Sequence, residues 1–250
     1  MTEKENKLYG LLGENISYSF SKSYFSEKFK NLQLNDCEYT NFDIADIQDF
    51  SRIINQHENL KGLNVTIPYK EKILPILTNL DETASEIGAV NTIKFLKNGD
   101  LVGCNTDAFG FENSLKPLLK SNHNKAFILG TGGASKAIAY VLKKNAINFK
   151  FVSRNPSSKV EIAYKDITEK MMKETNLVIN CTPLGTSPKT ELFPNIPYHF
   201  ISENHLLYDL IYNPKITAFL AKGKAEGATI KNGLEMLQLQ AEESWRIWNS

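Results

Sequence analysis

Two side chains in the sequence, Lys70 and Asp107, have the chemistry that proton transfer requires. Lys70 follows the string NVTIPY at 64–69, and Asp107 closes the string NTD at 105–107. Each has an ordinary alternative explanation, since a lysine is usually a surface charge and an aspartate in this position can cap a helix. An ammonium group and a carboxylate together can exchange a proton with a substrate oxygen. The two residues are therefore a candidate acid–base pair if the fold brings them together.

Four further polar side chains stand where a ligand can bind. Asn64 and Thr66 are two residues apart in a predicted strand, so they share one face of it. Ser19 and Ser21 stand just before a predicted helix, where serine hydroxyls are usually N-caps. The same hydroxyls, together with the positive end of the helix, can instead hold a carboxylate. This part of the chain is therefore a candidate binding region for a ligand that carries a carboxylate.

A glycine-rich turn lies in the middle of the chain. Apolar residues at 126–129 run into Gly130, and Gly132 and Gly133 follow before a predicted helix. Such a turn brings backbone N–H groups against a pyrophosphate at the helix N-terminus. The third position of the fingerprint holds Ser135, which is still small enough for close packing of helix on strand. The alternative is a tight connection without a ligand, but the strand–helix series around the turn favours dinucleotide binding.

The end of the next predicted strand indicates which dinucleotide binds. An NAD site usually places an acid there for the ribose 2′-hydroxyl. This sequence has Ser153, Arg154 and Asn155 instead, and no acid before Glu161. A guanidinium suits a 2′-phosphate through paired hydrogen bonds, although Arg154 can also be a solvated loop residue. Because the acid is missing, the sequence favours NADP.

The elements that must position these residues alternate between strands and helices. Strands are predicted at 7–12, 38–44, 60–68, 90–95 and 101–104, and then at 126–129, 149–153, 160–164, 177–180, 206–210 and 229–231. A helix at 109–119 links the two series, and a last helix spans 233–248. The alternation predicts an α/β protein of two domains, the first with a mostly parallel sheet.

Composition argues against several classes of protein. The chain has 250 residues and a formal net charge of +1, so neither nucleic acid nor an acidic membrane surface is an expected partner. Its three cysteines are far apart, and no cluster of cysteine and histidine suggests a metal site. The polar N-terminus has no signal-peptide core, and no apolar run reaches about 18 residues. We therefore expect a cytoplasmic protein that binds small molecules.

Seven motifs, taken in order, resemble those of the shikimate dehydrogenase family over nearly the whole chain. They are Ser19 to Ser21, Gly62 to Lys70, Gly88 to Thr92, Asn105 to Asp107, Gly130 to Ala134, Asn180 to Gly185, and Gly233 to Leu237 with Gln240. The resemblance implies an enzyme that reduces 3-dehydroshikimate to shikimate with NADPH, on the route to chorismate and the aromatic amino acids. It implies a substrate-binding domain at 1–106, on which the helix at 233–250 packs, and a Rossmann-type NADP domain at 107–232.

The resemblance also implies a role for each site residue. Lys70 is expected to be the catalytic acid–base group, with Asp107 as its partner on the substrate. The expected ligands of the substrate are Ser19, Ser21, Asn64, Thr66, Asn91, Tyr212 and Gln240. The expected cofactor contacts are Gly130, Thr131, Gly132, Gly133, Ala134, Ser153, Arg154, Asn155, Leu210 and Gly233. The oligomeric state is left open between a monomer and a homodimer.

Two other functions stay open at this point. One is a quinate/shikimate dehydrogenase that prefers NAD, against which Arg154 and the missing acid argue. The other is a non-catalytic sensor of a shikimate-pathway metabolite. Such a sensor has no need of Lys70 or Asp107, and both are present.

The sequence departs from the family pattern in three places. Tyr18 and Lys22 flank the serine motif in place of histidine and proline, and Ser153 and Asn155 flank Arg154 in place of asparagine and threonine. Only residues 156–159 then separate the arginine motif from the next predicted strand, whereas a βαβ crossover needs about ten or more residues. We expect the crossover helix to be missing and the adenine end of the site to be more open than in the family.

Overall fold

The computed structural model describes residues 6–17, 19–158 and 161–250 of the chain. Tyr18 and the first residue of the strand predicted at 160–164 therefore lie outside the described residues. The chain forms two compact units. The first unit contains the residues up to Thr106 together with Ala241–Ser250, and the second is Asp107–Gln240. The first unit is thus built from two separate stretches of chain and the second from one.

Strands and helices alternate along the chain. Its first part contains β1 (Lys7–Gly13), α1 (Phe20–Asn31), β2 (Cys37–Asp43), α2 (Phe50–Gln56), β3 (Leu60–Val65), α3 (Tyr69–Lys72), β4 (Asn79–Leu80), α4 (Glu82–Ile87), β5 (Thr92–Phe95) and β6 (Leu101–Cys104). Then follow α5 (Thr106–Leu115), β7 (Lys125–Leu129), α6 (Gly133–Lys144), β8 (Asn148–Ser153), β9 (Glu161–Ala163), α7 (Glu169–Glu174), β10 (Leu177–Asn180), β11 (Leu206–Asp209), α8 (Ala218–Ala225), β12 (Thr229–Lys231) and α9 (Leu234–Trp248). Within the described part of the chain, no helix has the length and apolarity that crossing a bilayer demands.

The first unit is built around a six-stranded sheet in the order β2-β1-β3-β5-β6-β4. β1 is parallel to β2 and β3, and β4 is parallel to β6, whereas β5 is antiparallel to both of its neighbours. Along β1, Leu8 and Leu12 belong to one hydrophobic cluster, and Tyr9 and Leu11 belong to another. Because neighbouring side chains of a strand point to opposite faces, both faces of the sheet are covered. The predicted mostly parallel sheet is confirmed.

Gly62 in β3 is the packing site of an aromatic side chain from α9. A Cβ built on Gly62 would lie 2.3 Å from the Trp248 indole atoms Cδ1 and Nε1. The indole N–H donates to the carbonyl oxygen of Ile93, 3.0 Å away, and Trp248 is buried. Helix α9 therefore covers the first sheet at a position that a side chain would block.

The second unit contains a parallel six-stranded sheet in the order β12-β11-β10-β7-β8-β9. This is the strand order of a Rossmann fold, and the order reverses between β7 and β10. Every residue of β10 and β11 is buried, which indicates that both faces of the sheet are covered. The predicted α/β class with a Rossmann-type domain is confirmed.

The crossover from β8 to β9 is short, in agreement with the missing helix expected from the sequence. β9 begins at Glu161 and is parallel to β8, and the described part of the connection, residues 154–158, is not helical. The Glu161 carboxylate accepts hydrogen bonds from the Ser157 N–H (3.0 Å) and from the hydroxyls of Ser157 (3.3 Å) and Ser158 (3.1 Å). The loop is therefore held to the start of β9 by its own side chains.

A buried carboxylate organises the loops at the carboxyl ends of β10 and β11. Asp209 accepts hydrogen bonds from Asn180 Nδ2 (3.0 Å), from the Ile211 N–H (3.1 Å) and from the Thr217 hydroxyl (2.5 Å). Asn180 Oδ1 in turn accepts from the backbone N–H (3.0 Å) and hydroxyl (2.7 Å) of Thr182. Burial raises the pKa of Asp209 to about 6, although the three donors act in the opposite direction. One buried acid thus connects two loops of the second unit.

The sequence patterns do not predict β4 or α7. Both residues of β4 are exposed, and Met172 is the buried residue of α7, so neither element shows a hydrophobic period. The strand predicted at 60–68 ends at Val65 because the chain turns there into α3, whose N-cap is Pro68. The strand predicted at 160–164 is observed over Glu161–Ala163.

We expect Gly62→Ala to lower the free energy of unfolding by roughly 1–3 kcal/mol, because the added methyl group displaces the Trp248 indole. Urea denaturation followed by tryptophan fluorescence measures the change. Gly132→Ala is the control, since a Cβ there meets no atom within 4 Å and the φ of −74° suits alanine. Equal stability of Gly62→Ala and the wild type would show that the indole is not packed on this glycine.

We expect Asp209→Asn to change how stability depends on pH. The pKa of Asp209 is raised from 3.8 to about 6, so the folded state favours the protonated form. The stability that this group contributes is fully present below about pH 4 and is lost as the pH rises through 6. Relative to the variant, the wild type should lose on the order of 1–3 kcal/mol of unfolding free energy between pH 4 and 7.

Urea titrations at several pH values measure this difference. Asp166→Asn, at an exposed position of the same unit, controls for the loss of one negative charge. Parallel pH profiles for the wild type and Asp209→Asn would contradict the expectation.

Candidate functional site

The turn after β7 requires glycine at its first position. Gly130 has a φ of +100°, and a Cβ built on it would lie 3.0 Å from Thr182 Cγ2. Its N–H donates to the carbonyl oxygen of Val152, 2.9 Å away, so the turn is held to the end of β8. Gly130 thus lies where the strand order reverses, which is the usual position of a ligand site in an open parallel sheet.

Gly132 is a glycine for which the fold itself gives no reason. It is exposed, its φ is −74°, and a built Cβ meets no atom within 4 Å. It is the N-cap of α6 and offers no capping side chain, while its carbonyl oxygen accepts from the N–H (2.9 Å) and hydroxyl (2.6 Å) of Ser135. A Cβ at Gly132 would occupy the open space before the helix N-terminus. That space and the dipole of α6 fit a pyrophosphate.

Thr131 and Ala134, which flank Gly132 and Gly133, differ in exposure. Thr131 is exposed, and Ala134 is half-buried in the first turn of α6, beside Gly133. The residues of the predicted pyrophosphate loop, from Gly130 to Ala134, are therefore brought together at one strand-to-helix turn.

The basic motif follows β8, next to the strand that carries the glycine turn. The Ser153 hydroxyl accepts from the Asn155 N–H, 3.3 Å away, and Arg154 is exposed at the end of the strand. The positive charge of Arg154 acts on the phenol of Tyr164, although burial dominates and raises the pKa of Tyr164 to about 12. Glu161, the first acid after β8, has its carboxylate on Ser157 and Ser158. The end of β8 therefore offers a cation to a ligand.

Leu210 and Gly233, two predicted cofactor contacts, lie against each other. A Cβ on Gly233 would be 2.1 Å from the Leu210 carbonyl oxygen, and the Gly233 N–H donates to the carbonyl oxygen of Ile211 (3.1 Å). This close approach requires glycine. Tyr212 is half-buried in the loop after β11, and Gln240 is buried, with its Nε2 donating to the Leu237 carbonyl oxygen (2.9 Å).

In the first unit, Lys70 lies just beyond the carboxyl end of β3. It is the second residue of α3, it is half-buried, and its carbonyl oxygen accepts from the Val90 N–H (2.8 Å). The Tyr69 side chain before it is buried, and its hydroxyl donates to the Ile44 carbonyl oxygen (2.7 Å). The half-buried Thr66 closes the turn, because its carbonyl oxygen accepts from the Tyr69 N–H (2.9 Å). The backbone around Lys70 is thus fixed on both sides.

Asn64 and Asn91 take part in a buried hydrogen-bond network. Asn64 accepts from the Tyr39 hydroxyl (2.8 Å) and donates to Ser244 Oγ (2.9 Å). Asn91 Oδ1 accepts from the Thr106 N–H (2.7 Å). Both asparagines are less than 5% exposed. Two of the predicted substrate ligands therefore belong to one connected set of polar groups.

Of the serines predicted to hold a carboxylate, Ser19 is the N-cap of α1. Its hydroxyl accepts from the Lys22 N–H at 3.4 Å, which is the ordinary role that the sequence also allowed. Ser21, in the first turn, is half-buried. Burial raises the pKa of the Tyr39 phenol, while a hydrogen bond with the Ser21 hydroxyl lowers it.

Asp107 is buried in the first turn of α5 and belongs to the second unit, whereas Lys70 belongs to the first. Their pairing stays a prediction. Sequence reasoning missed Tyr39, Thr92, Thr106 and Ser244 as polar partners of the predicted ligands. Thr92 and Thr106 lie inside motifs quoted above, but no pattern singles out Tyr39 or Ser244, because their neighbours come from distant parts of the chain.

Comparison with known proteins covers both units. The family model of the shikimate dehydrogenase substrate binding domain matches residues 11–93. The chain is 36% identical over 265 residues to the shikimate dehydrogenase (NADP(+)) of Methanococcus maripaludis, covering 99% of this chain and 94% of the relative. It is 37% identical over 253 residues to the shikimate dehydrogenase (NADP(+)) of Staphylococcus aureus, covering 97% of this chain and 92% of the relative.

A solved structure extends the similarity to three dimensions. The shikimate 5-dehydrogenase of Thermus thermophilus, in complex with NADP(H) and shikimate, matches with a TM-score of 0.85 and 29% identity, over 97% of this chain and 93% of that one. Sequence and structure thus agree over both units, and the chain belongs to the shikimate dehydrogenase family.

Proposed function

We propose that the protein catalyses the reversible, NADP-dependent reduction of 3-dehydroshikimate to shikimate in the cytoplasm. The observation that carries the proposal is that relatives named shikimate dehydrogenase (NADP(+)) match nearly the whole chain at 36 and 37% identity. The substrate domain is the first unit, and the cofactor domain is the second. Small molecules are its partners, and no membrane or nucleic acid takes part.

The second unit holds NADP through three groups of residues. The loop from Gly130 to Ala134 holds the pyrophosphate, a role supported by the open space at Gly132. Ser153, Arg154 and Asn155 hold the 2′-phosphate, a role supported by the exposed cation at the end of β8. Leu210 and Gly233 would hold the nicotinamide end of the cofactor. NADPH, when bound, supplies the hydride.

The substrate is held by its carboxylate and its ring hydroxyls. Ser19 and Ser21 bind the carboxylate at the start of α1, where the helix dipole favours an anion. The residues that bind the ring oxygens are Asn64, Thr66, Asn91, Tyr212 and Gln240. The burial of Asn64 and Asn91 supports this role, because a buried amide binds a hydroxyl without competition from bulk water.

Lys70 supplies the proton. Reduction of the keto carbon leaves an electron pair on its oxygen, and the lysine ammonium protonates that oxygen to give the hydroxyl. In the reverse direction the neutral amine takes the proton back. Asp107 accepts a hydrogen bond from the substrate and keeps it oriented. The fixed backbone around Lys70 supports this role, because proton transfer requires a positioned group.

A spectrophotometric assay tests the proposed function. Shikimate and quinate are each offered with NADP and with NAD, and we expect the fastest turnover with shikimate and NADP. A clear preference for NAD or quinate would favour the alternative quinate/shikimate dehydrogenase. Binding of shikimate without turnover in any combination would favour the metabolite sensor.

We expect Lys70→Ala to lower kcat by roughly 10²–10⁴-fold, because a positioned acid–base group is worth about that much, and to leave shikimate binding measurable by calorimetry. Lys72→Ala is the matched control, since Lys72 is an exposed lysine of the same short helix, and it should keep its activity. Unchanged turnover in Lys70→Ala would refute the role of this lysine.

We expect Arg154→Ala to raise the KM for NADPH by about 10- to 100-fold, the loss expected for a hydrogen bond to a charged group. The KM for NADH should change little, because NADH lacks the 2′-phosphate, and so should the KM for 3-dehydroshikimate. Lys150→Ala, at an exposed position on the same strand, should resemble the wild type. An equal rise for NADPH and NADH would show that Arg154 does not contact the 2′-phosphate.

A further inference from the structure

We infer that Ser244 of α9 is a positioning residue for substrate binding, because its hydroxyl holds the amide of Asn64, and through Thr92 that of Asn91, in place. The inference deepens the proposed function and rests on it, since those two asparagines are the proposed ligands of the ring oxygens. Ser244 acts through its neighbours and does not itself touch the substrate.

The Ser244 hydroxyl is the centre of a buried cluster of polar groups. It lies 2.8 Å from Thr92 Oγ1, 2.9 Å from Asn64 Nδ2 and 3.2 Å from Thr106 Oγ1. Ser244 and Thr92 have no exposed surface, and Thr106 is 1% exposed. Water therefore does not replace a lost partner easily, and each group must be satisfied by the protein.

Two backbone groups determine the orientation of the asparagine amides. The Thr106 N–H can only donate, so the Asn91 atom 2.7 Å from it must be the oxygen Oδ1. The Asn91 carbonyl oxygen can only accept, so the Asn64 atom 3.4 Å from it must be the nitrogen Nδ2. Neither amide can be reversed without placing like groups against each other.

The hydroxyls of Ser244 and Thr92 lie between these two fixed amides. Asn64 Nδ2 donates to Ser244 Oγ, and the Thr92 hydroxyl donates to Asn91 Oδ1 at 3.2 Å. The Ser244 and Thr92 hydroxyls share a hydrogen bond of 2.8 Å, in which either oxygen can be the donor. Ser244 is thus one of the groups that connect the two asparagines.

The chain extends beyond both asparagines. Asn64 Oδ1 accepts from the Tyr39 hydroxyl, and burial raises the pKa of Tyr39, which keeps the phenol protonated as a donor. Ser21, a proposed carboxylate ligand, forms a hydrogen bond with the same phenol. At the other end, Asn91 Nδ2 donates to Thr106 Oγ1 at 3.0 Å. One set of hydrogen bonds therefore joins groups proposed to bind opposite parts of the substrate.

Removing the Ser244 hydroxyl has different consequences for binding and for stability. Asn64 Nδ2 loses its nearest acceptor and keeps only the more distant Thr92 Oγ1 (3.3 Å) and Asn91 carbonyl oxygen (3.4 Å), and Thr92 loses its nearest hydroxyl partner. Both amides keep their orientation but are held less firmly, which weakens substrate binding. A merely structural serine, which only attaches α9 to the sheet, would lower stability and leave the KM values unchanged.

The test measures kinetics and stability of Ser244→Ala in the full chain. We expect the KM for 3-dehydroshikimate to rise about 5- to 20-fold, the loss expected for one or two neutral hydrogen bonds, and the KM for NADPH to stay within about twofold. Ser114→Ala is the matched control, because Ser114 is also a buried helical serine, bonded to Tyr208 Oη at 2.6 Å and to the Phe111 carbonyl oxygen at 3.1 Å. It should lose comparable stability with no change in either KM.

A double variant separates an action through Asn91 from a general loss of structure. If Ser244 acts by orienting Asn91, then Ser244→Ala adds little to the KM of an Asn91→Ala enzyme. Effects that multiply in full, or a Ser244→Ala enzyme with wild-type KM values, would overturn the inference. If Ser244→Ala does not fold, Tyr39→Phe removes one oxygen from the other end of the chain and should raise the same KM.

A spectroscopic measurement keeps the inference independent of the proposed activity. Wild-type protein that neither binds nor oxidises shikimate would refute the proposed function alone. The side-chain amide signals of Asn64 and Asn91 in nitrogen-15 NMR spectra should still shift in Ser244→Ala and not in Ser114→Ala. Unchanged signals in Ser244→Ala would overturn the orienting role, whatever the protein binds.

Discussion

The burial of both sheets on both faces is the constraint on which the rest of the structure depends. Neighbouring residues of β1 pack into different hydrophobic clusters, and every residue of β10 and β11 is buried. The side chains of these strands are therefore committed to the core, and several of the proposed site residues lie where strands end. Lys70 follows β3, Gly130 follows β7, and Arg154 follows β8.

This constraint explains what could be predicted from the sequence. A strand buried on both faces is a continuous apolar run in the sequence. Most strands, and with them the α/β class, can therefore be predicted from the sequence alone. A polar residue just after a predicted strand, such as Lys70 or Arg154, is identified by its position even without a structure. Gly132 can also be identified from the sequence as a ligand-binding glycine. The structure supports this interpretation, because no neighbouring atom requires glycine there.

The remainder could not be predicted because it depends on contacts between distant residues. Asp209 is the last residue of an apolar strand, and in the sequence it looks like any polar residue at such a position. Its raised pKa depends on burial, which the sequence does not reveal. Ser244 is one polar residue on an amphipathic helix, and its importance comes from Asn64 and Thr92, which are far away in the sequence. β4 and α7 bury too little surface to leave a pattern.

The packing of Trp248 on Gly62 has a consequence for synthesis. The first unit needs residues 241–250 to cover its sheet, whereas the second unit, Asp107–Gln240, is continuous in sequence. A ribosome makes the chain from its N-terminus, and domains fold as units once their residues have emerged. The second unit therefore has all of its residues before the first unit does. Until Trp248 is translated, more than a hundred residues after Gly62, the β3 surface around Gly62 stays uncovered.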